Sequence, residues 1–260
     1  AIAVKGHPLA EQSKVFSATG EKKVEIKAER KIPENRMSLL HKSDFAGLPE
    51  TDHRIIGQQL DLFSFQEVAP GMVFLHPKGL TLRNILIEFS RKEHEKAGYQ
   101  EIQTPIIVNK VLWEASGHWE HYKENMFLTK IDDADFGLKP MNCPEAILIF
   151  KNRTRSYRDL PLRLLEFGLV SRNELSGVLS GLFRVRNLTQ DDAHIFATEE
   201  QIVGEIANVV KLTDKFYKKF GFDYHVELST RPEKAMGDKK VWERAEKALE
   251  DALKKNKITY

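Results

Sequence analysis

Residues 164–196 read LLEFGLVSRNELSGVLSGLFRVRNLTQDDAHIF, and they constrain the fold more tightly than any other stretch of the chain. Two apolar-flanked arms enclose a middle rich in glycine and serine, the pattern of a long antiparallel hairpin. Side chains alternate across a strand, so residues two apart share a face. Arg172 and Glu174 are therefore expected on one side of the first arm, and Arg184 and Arg186 on one side of the second. Gln190, Asp192 and His194 should likewise line one face. Arginine's planar fork matches phosphate oxygens, and an acidic group beside a cation site suits a substrate ammonium. The same residues would also suit a solvated hairpin with cross-strand ion pairs, each worth little. Spacing by itself leaves both readings open.

The flanking signals place this hairpin in a mixed fold. TLRNILIEFSRKEHEKAG reads as a helix in which Thr81 caps the start, Leu82, Ile85, Leu86 and Phe89 share a face, and Gly98 ends it. YQEIQTPIIV reads as a strand interrupted at Pro105, which favours an edge or a bulge. Cys143 and Pro144 open a helix through AILIF. Thr198 and Gln201 make a capping box for a helix that Gly221 ends. DYHVELS, residues 223–229, alternates as a strand, and Asp238 caps a last helix. Strands and helices mix without a βαβ rhythm, so the expected fold class is α+β, an antiparallel sheet flanked by helices. Residues 1–50 read as an N-terminal arm or linker, with a hairpin around Gly20 and an irregular stretch from Pro33 to Pro49. The larger domain is expected over residues 51–260.

With 260 residues, a net charge of +2 and 30% charged residues, the chain is no nucleic-acid coat, although a local patch could still bind RNA. Cys143 is the one cysteine. It rules out an intrachain disulfide framework and fits a reducing compartment. No apolar run reaches membrane-spanning length and no signal peptide opens the chain. No GxGxxG or GxxxxGK[ST] occurs, so nucleotide binding cannot rest on a glycine loop. Cys143 and His194 could serve a zinc ion, but a catalytic zinc takes three protein ligands and an open position. A lone cysteine also packs as a small hydrophobe, and a lone histidine can be structural. His118 could be a proton relay or a core residue.

The hairpin resembles motif 2 of the class II aminoacyl-tRNA synthetases: an apolar residue, Arg, any residue, Glu, a loop, then a second Arg. More narrowly, the chain is similar to the threonyl-tRNA synthetases. DHRIIGQQLDLF, EVAPGMVFLHPKG, LWEASGHWEHYKENMF, KPMNCP, SYRDLPLR, FRVRNLTQDDAHIF and LSTRPEK carry the likeness, in the family's order, over roughly residues 52–260. The resemblance implies a class II catalytic fold and ATP-dependent threonine–tRNA ligation in the cytoplasm, with ATP and Mg²⁺, L-threonine and tRNA(Thr) as partners. It implies that Arg172 meets the ATP α-phosphate and the threonine carboxylate, Glu174 the adenine edge and Arg184 the γ-phosphate. Cys143 and His194 match the first two zinc ligands. Met141, Gln190 and Asp192 match the threonine pocket, and His118 matches a residue near the terminal ribose of the tRNA. Gln103 to Trp113 matches motif 1, which implies a homodimer.

The chain also departs from the family. Leu188 stands where a phenylalanine usually stacks on adenine, which keeps apolar contact but loses the aromatic face. KPMNCPEA replaces the usual KPMNCPGH, placing Glu145 and Ala146 beside the cysteine. The sequence stops before the family's third zinc ligand and its motif 3. The fragment alone is therefore expected to bind zinc weakly and to be inactive. Two rival readings follow: a non-catalytic, synthetase-derived binding protein within a larger assembly, and a class II relative specific for serine or proline.

Overall fold

The structure, a computed structural model, describes residues 14–16, 23–25 and 47–260 apart from 234 and 236. Strands β1 (Lys14–Phe16) and β2 (Lys23–Glu25) pair antiparallel, as expected of a hairpin around Gly20. The turn itself and most of the 33–49 stretch lie outside the described residues.

Helix α1 (His53–Gln59) begins at Asp52, whose carboxylate accepts from Arg54 N at 2.9 Å. Strands β3 (Phe63–Phe65) and β4 (Val73–Leu75) form a short hairpin. Phe63 and Phe65 pack with Val185 in a small core. Gly57 faces the Phe63 ring so closely that a Cβ there would strike it.

Helix α2 (Pro77–Lys96) starts five residues earlier than the sequence suggests, with its cap at His76 in place of Thr81. His76 is its N-cap and Pro77 supplies the first turn, where a missing N–H costs nothing. Thr81 is therefore inside the helix, its hydroxyl donating back to Pro77 O at 2.9 Å. Gly98, with φ of +80°, follows the C-cap as expected. The apolar face is the larger surprise. Leu82, Ile85 and Leu86 are exposed, whereas Ser90, Glu93 and His94 are buried. These polar groups have partners: Ser90 donates to Asp191, His94 Nε2 lies 3.5 Å from Asp191 Oδ1, and Glu93 pairs with Lys215. Hydrogen bonding offsets the desolvation that burial imposes on them.

Pro105 splits the following strand, as its missing N–H predicts. Strand β5 (Gln100–Glu101) joins one sheet and β6 (Ile107–Asn109) another. Helices α3 (Lys110–Ala115) and α4 (His118–His121) follow, with Trp113 fully buried. Strands β7 (Leu128–Ile131) and β8 (Ala134–Leu138) complete the antiparallel sheet β6-β8-β7. Helix α5 (Cys143–Lys151) opens on Cys143 and Pro144 as read from the sequence.

The central hairpin is β9 (Leu162–Ser171) against β10 (Asn187–Phe196), in register from Ser171↔Asn187 to Leu162↔Phe196. Strand β5 adds to β9 in parallel, so the sheet is mixed at that edge. Two sides can be told apart. On one lie α2 and α6 (Glu199–Phe220). Arg83 reaches Thr189 at 2.9 Å and Arg163 forks onto Glu205 at 2.6 Å. Phe89 meets Phe216 and Phe220 edge-on. The other side receives the 139–145 segment. The Thr198–Gln201 capping box and the αL Gly221 bound α6 as expected.

DYHVELS pairs with no strand among the described residues. Val226 and Leu228 are half-buried between exposed neighbours, and the 226–229 stretch lines a cleft of about 420 Å³ beside α6 and α7 (Lys239–Lys255). A strand also needs a backbone neighbour, and among the described residues none pairs with it. Asp238 caps α7 as expected, accepting from Lys240 N at 2.7 Å. No helix among the described residues is long and apolar enough to cross a membrane.

Candidate active site

Strand β10 sets the floor of the site. Gln190, Asp192 and His194 alternate onto one face, opposite Gly168, Glu166 and Leu164 of β9. Asp191 points the other way, to Ser90 and His94 of α2. The pleat therefore puts Asp192, and not Asp191, on the face that carries Gln190 and His194.

The 139–145 segment lies over this face. Ser171 N donates to Lys139 O at 2.9 Å and Arg172 Nε to Pro140 O at 3.0 Å. Beneath it Lys139 is almost wholly buried, with its ammonium 2.9 Å from Glu166 Oε1 and 2.7 Å from Thr104 Oγ1. Met141 is half-buried next in the chain. Asn142 follows, fully buried, its amide Nδ2 donating to Asp192 Oδ2 at 3.0 Å and reaching Gln190 Oε1 at 3.4 Å.

Cys143, Asp192 and His194 converge. One donor atom from each lies within 4.8 Å of the others. Cys143 is exposed as a residue, yet packing around its sulfur and the charge of Asp192 push the thiol up. A divalent cation would reverse that, since metal binding takes the thiolate. Thiolate, imidazole and carboxylate are a donor set that suits zinc. The sequence reading counted only Cys143 and His194 as ligands. The structure brings the Asp192 carboxylate, which the resemblance gives to the threonine pocket, within reach of the same point. Glu145, in the first turn of α5, is buried, and neither of its oxygens has a protein partner among the described residues. Burial pushes its carboxyl up to about 7.

At the other end of the hairpin the expected pairs are not strand pairs. Arg172 and Glu174 lie just past β9, and Arg184 and Arg186 just before β10. Arg172 N still donates to Arg186 O at 2.8 Å, so the ladder runs one step further. The loop beyond is irregular, because glycine and serine do not sustain pairing. Within it Glu174 Oε2 accepts from Arg184 Nη2 at 3.0 Å. Arg184 is exposed, so that contact is weak and readily exchanged for another anion. Arg186 does different work from Arg184. It donates to Glu174 O, Pro70 O and Ser176 Oγ, tying the loop to the 66–72 turn. His53 is a further support that sequence reasoning did not single out: its Nε2 accepts from Leu182 N at 2.9 Å. His118 is set among other residues, its Nδ1 2.7 Å from Ser116 Oγ and its ring edge-on to Trp113. Burial lowers its imidazole below the ordinary value.

A polar hairpin with arginines at its loop end, a soft-donor cluster at its base and helices behind is the architecture of a class II tRNA synthetase core. Residues 127–253 match the tRNA synthetase class II core domain (G, H, P, S and T). A threonine–tRNA ligase of Acetivibrio thermocellus is 63% identical over 209 residues, covering 80% of this chain and 33% of that protein. One from Carboxydothermus hydrogenoformans is 61% identical over the same shares. The crystal structure of the RNA binding domain of threonyl-tRNA synthetase from Cryptosporidium parvum Iowa II aligns with a TM-score of 0.76 at 44% identity. It covers 80% of this chain and 52% of that one. The chain belongs to the threonyl-tRNA synthetase family and carries a portion of its catalytic domain. It spans about a third of the length of the curated relatives it matches.

Proposed function

We propose that the protein is a threonine–tRNA ligase, that residues 51–260 are its catalytic-domain portion, and that residues 1–50 are an arm or linker. One observation carries this reading: Cys143, Asp192 and His194 converge on the face that also presents Gln190, at the base of a hairpin whose loop end bears Arg172 and Arg184. A pocket for a small amino acid and an arginine-lined loop are thereby joined by one rigid ribbon.

In this reading L-threonine lies over β10. Its amino group faces the Asp192 carboxylate, and the Gln190 amide offers a hydrogen bond alongside. Met141 closes the apolar side. A zinc ion held by Cys143 and His194 would supply a Lewis-acid contact for both the amine and the hydroxyl of threonine. Valine has the shape of threonine but no hydroxyl, and a plain apolar pocket rejects such a near-isostere poorly. A site built around that hydroxyl discriminates far better.

Arg172 is held by its Nε on Pro140 O, which leaves the terminal nitrogens of the fork for the ATP α-phosphate and the threonine carboxylate. It acts as an electrostatic stabiliser when the carboxylate attacks the α-phosphate. ATP binds with Mg²⁺. Glu174 would take the adenine edge and Arg184 the γ-phosphate, exchanging their mutual contact for ligand contacts. His118, its imidazole lowered by burial, is the candidate proton relay when the terminal ribose of tRNA(Thr) attacks the adenylate. Exposed Ile106, Ile107 and Val111 in the Gln103–Trp113 segment, and exposed Leu82, Ile85 and Leu86 on α2, support a homodimer. A cytoplasmic setting fits a single free cysteine.

The test is threonine-dependent pyrophosphate exchange in the full-length polypeptide. Arg172→Ala is expected to lower exchange by about a hundredfold or more. Arg172→Lys should recover little, because an ammonium lacks the planar fork. Exchange driven by serine or proline in preference to threonine would overturn the assignment.

A further inference from the structure

Asn142 sits at the N-cap of α5, a position asparagine favours because its side chain can accept from the first N–H groups of the helix. Here the side chain makes no such bond. It is fully buried and turned onto the sheet, with Nδ2 3.0 Å from Asp192 Oδ2 and 3.4 Å from Gln190 Oε1. The amide donor faces the carboxylate, since two oxygens so close would repel. Gly168, opposite Gln190 in the β9–β10 register, lies directly beneath. A Cβ at Gly168 would run into the Asn142 amide. The Asn142 side chain therefore fits only over a glycine.

We infer that Asn142 is a positioning residue for the amino-acid pocket, orienting Asp192 and Gln190 from a seat that Gly168 leaves open. By holding one Asp192 oxygen it leaves the other for a ligand amine. By occupying Gln190 Oε1 it turns the Gln190 amide nitrogen, with its two N–H donors, toward the pocket. Groups that lock the rotamers of ligand-contacting side chains govern affinity for the ligand they serve, here the amino acid rather than ATP.

The inference rests on the ligase reading, and the experiment separates the two. Threonine and ATP are varied independently in pyrophosphate exchange by the full-length polypeptide. Asn142→Ala is expected to raise KM for threonine about tenfold or more, the scale of a lost hydrogen bond to a charged group, and to leave KM for ATP within about twofold. Asn142→Asp keeps the volume but sets a carboxylate against Asp192, so it should raise KM for threonine further. Gly168→Ala should reproduce the threonine defect with Asn142 intact. An unchanged KM for threonine in Asn142→Ala overturns the inference while the ligase reading stands. Parallel rises in both KM values, with a lowered Tm, also overturn it, because they mark a merely structural role. Absence of threonine-dependent exchange in the unaltered protein sinks the ligase reading instead. The inference is then judged on the crystal structure of Asn142→Asp: displaced Asp192 and Gln190 side chains support it, and unmoved ones overturn it.

Discussion

Lys139 Nζ lies 2.9 Å from Glu166 Oε1, with both side chains all but excluded from solvent. Thr104 completes the cluster, donating its backbone N–H and its hydroxyl to Glu166. The pair joins the 139–145 segment to β9 directly beneath the pocket, since Glu166 is the register partner of Asp192.

Removing one partner leaves the other charge buried and alone. Lys139→Ala is expected to destabilise the protein by about 3–5 kcal/mol. Replacing both, as Lys139→Met with Glu166→Leu, should cost far less, because no charge is then stranded. Urea unfolding of the single and double variants checks this. A double variant as unstable as the single would show that the pair does more than neutralise itself.

The second prediction concerns acid. Arg54 holds the Asp52 carboxyl well below the usual carboxylate range, through its side chain first and its backbone N–H second. A depressed folded-state value stabilises the fold above the unfolded pKa, about 4, and that contribution is lost as pH falls through the folded one. Helix α1 should therefore loosen in acid. His53, on α1, holds Leu182 in the arginine-bearing loop, so that loop should loosen with it. Amide exchange near His53 and Leu182 should be faster in Asp52→Ala than in the unaltered protein at pH 6, with the gap closing well below pH 4. A gap independent of pH would show that the cap is not electrostatic.

Much of this arrangement was legible in the sequence where local rules decide it. The arms of the hairpin, the shared face of Gln190, Asp192 and His194, and the caps at Thr198 and Asp238 follow from period and end chemistry. What escaped depends on neighbours far along the chain. The buried polar residues of α2, Ser90, Glu93 and His94, need Asp191 and Lys215 as partners, so hydrophobic spacing along the helix did not reveal them. DYHVELS alternates as a strand does, but alternation does not provide a neighbouring backbone. Arg186 looked equivalent to Arg184 by spacing, and its contacts with Glu174 O, Pro70 O and Ser176 Oγ distinguish it. The segment holding Asn142 was visible as a motif. Its seat over Gly168 was not, because nothing local relates one to the other.

The last prediction addresses the soft-donor cluster. The Cys143 thiol is pushed up by packing and by Asp192, so it stays protonated at neutral pH unless a cation draws off the proton. Zinc affinity in the full-length polypeptide should therefore fall as pH is lowered, with a proton released on binding. Cobalt(II) substituted for zinc should show a sulfur-to-metal charge-transfer band, and Cys143→Ser should abolish that band along with threonine activation. His194→Ala should weaken the metal but keep the sulfur band at high cobalt, because the thiolate remains. Chelation should remove threonine-dependent exchange without unfolding the protein, since the β9–β10 register and the Lys139–Glu166 pair do not involve the metal. An active full-length enzyme that contains no zinc by elemental analysis would exclude Cys143 and His194 as ligands. The cluster would then stand as a thiol, an imidazole and a carboxylate held together by the pleat of β10 and the start of α5 alone.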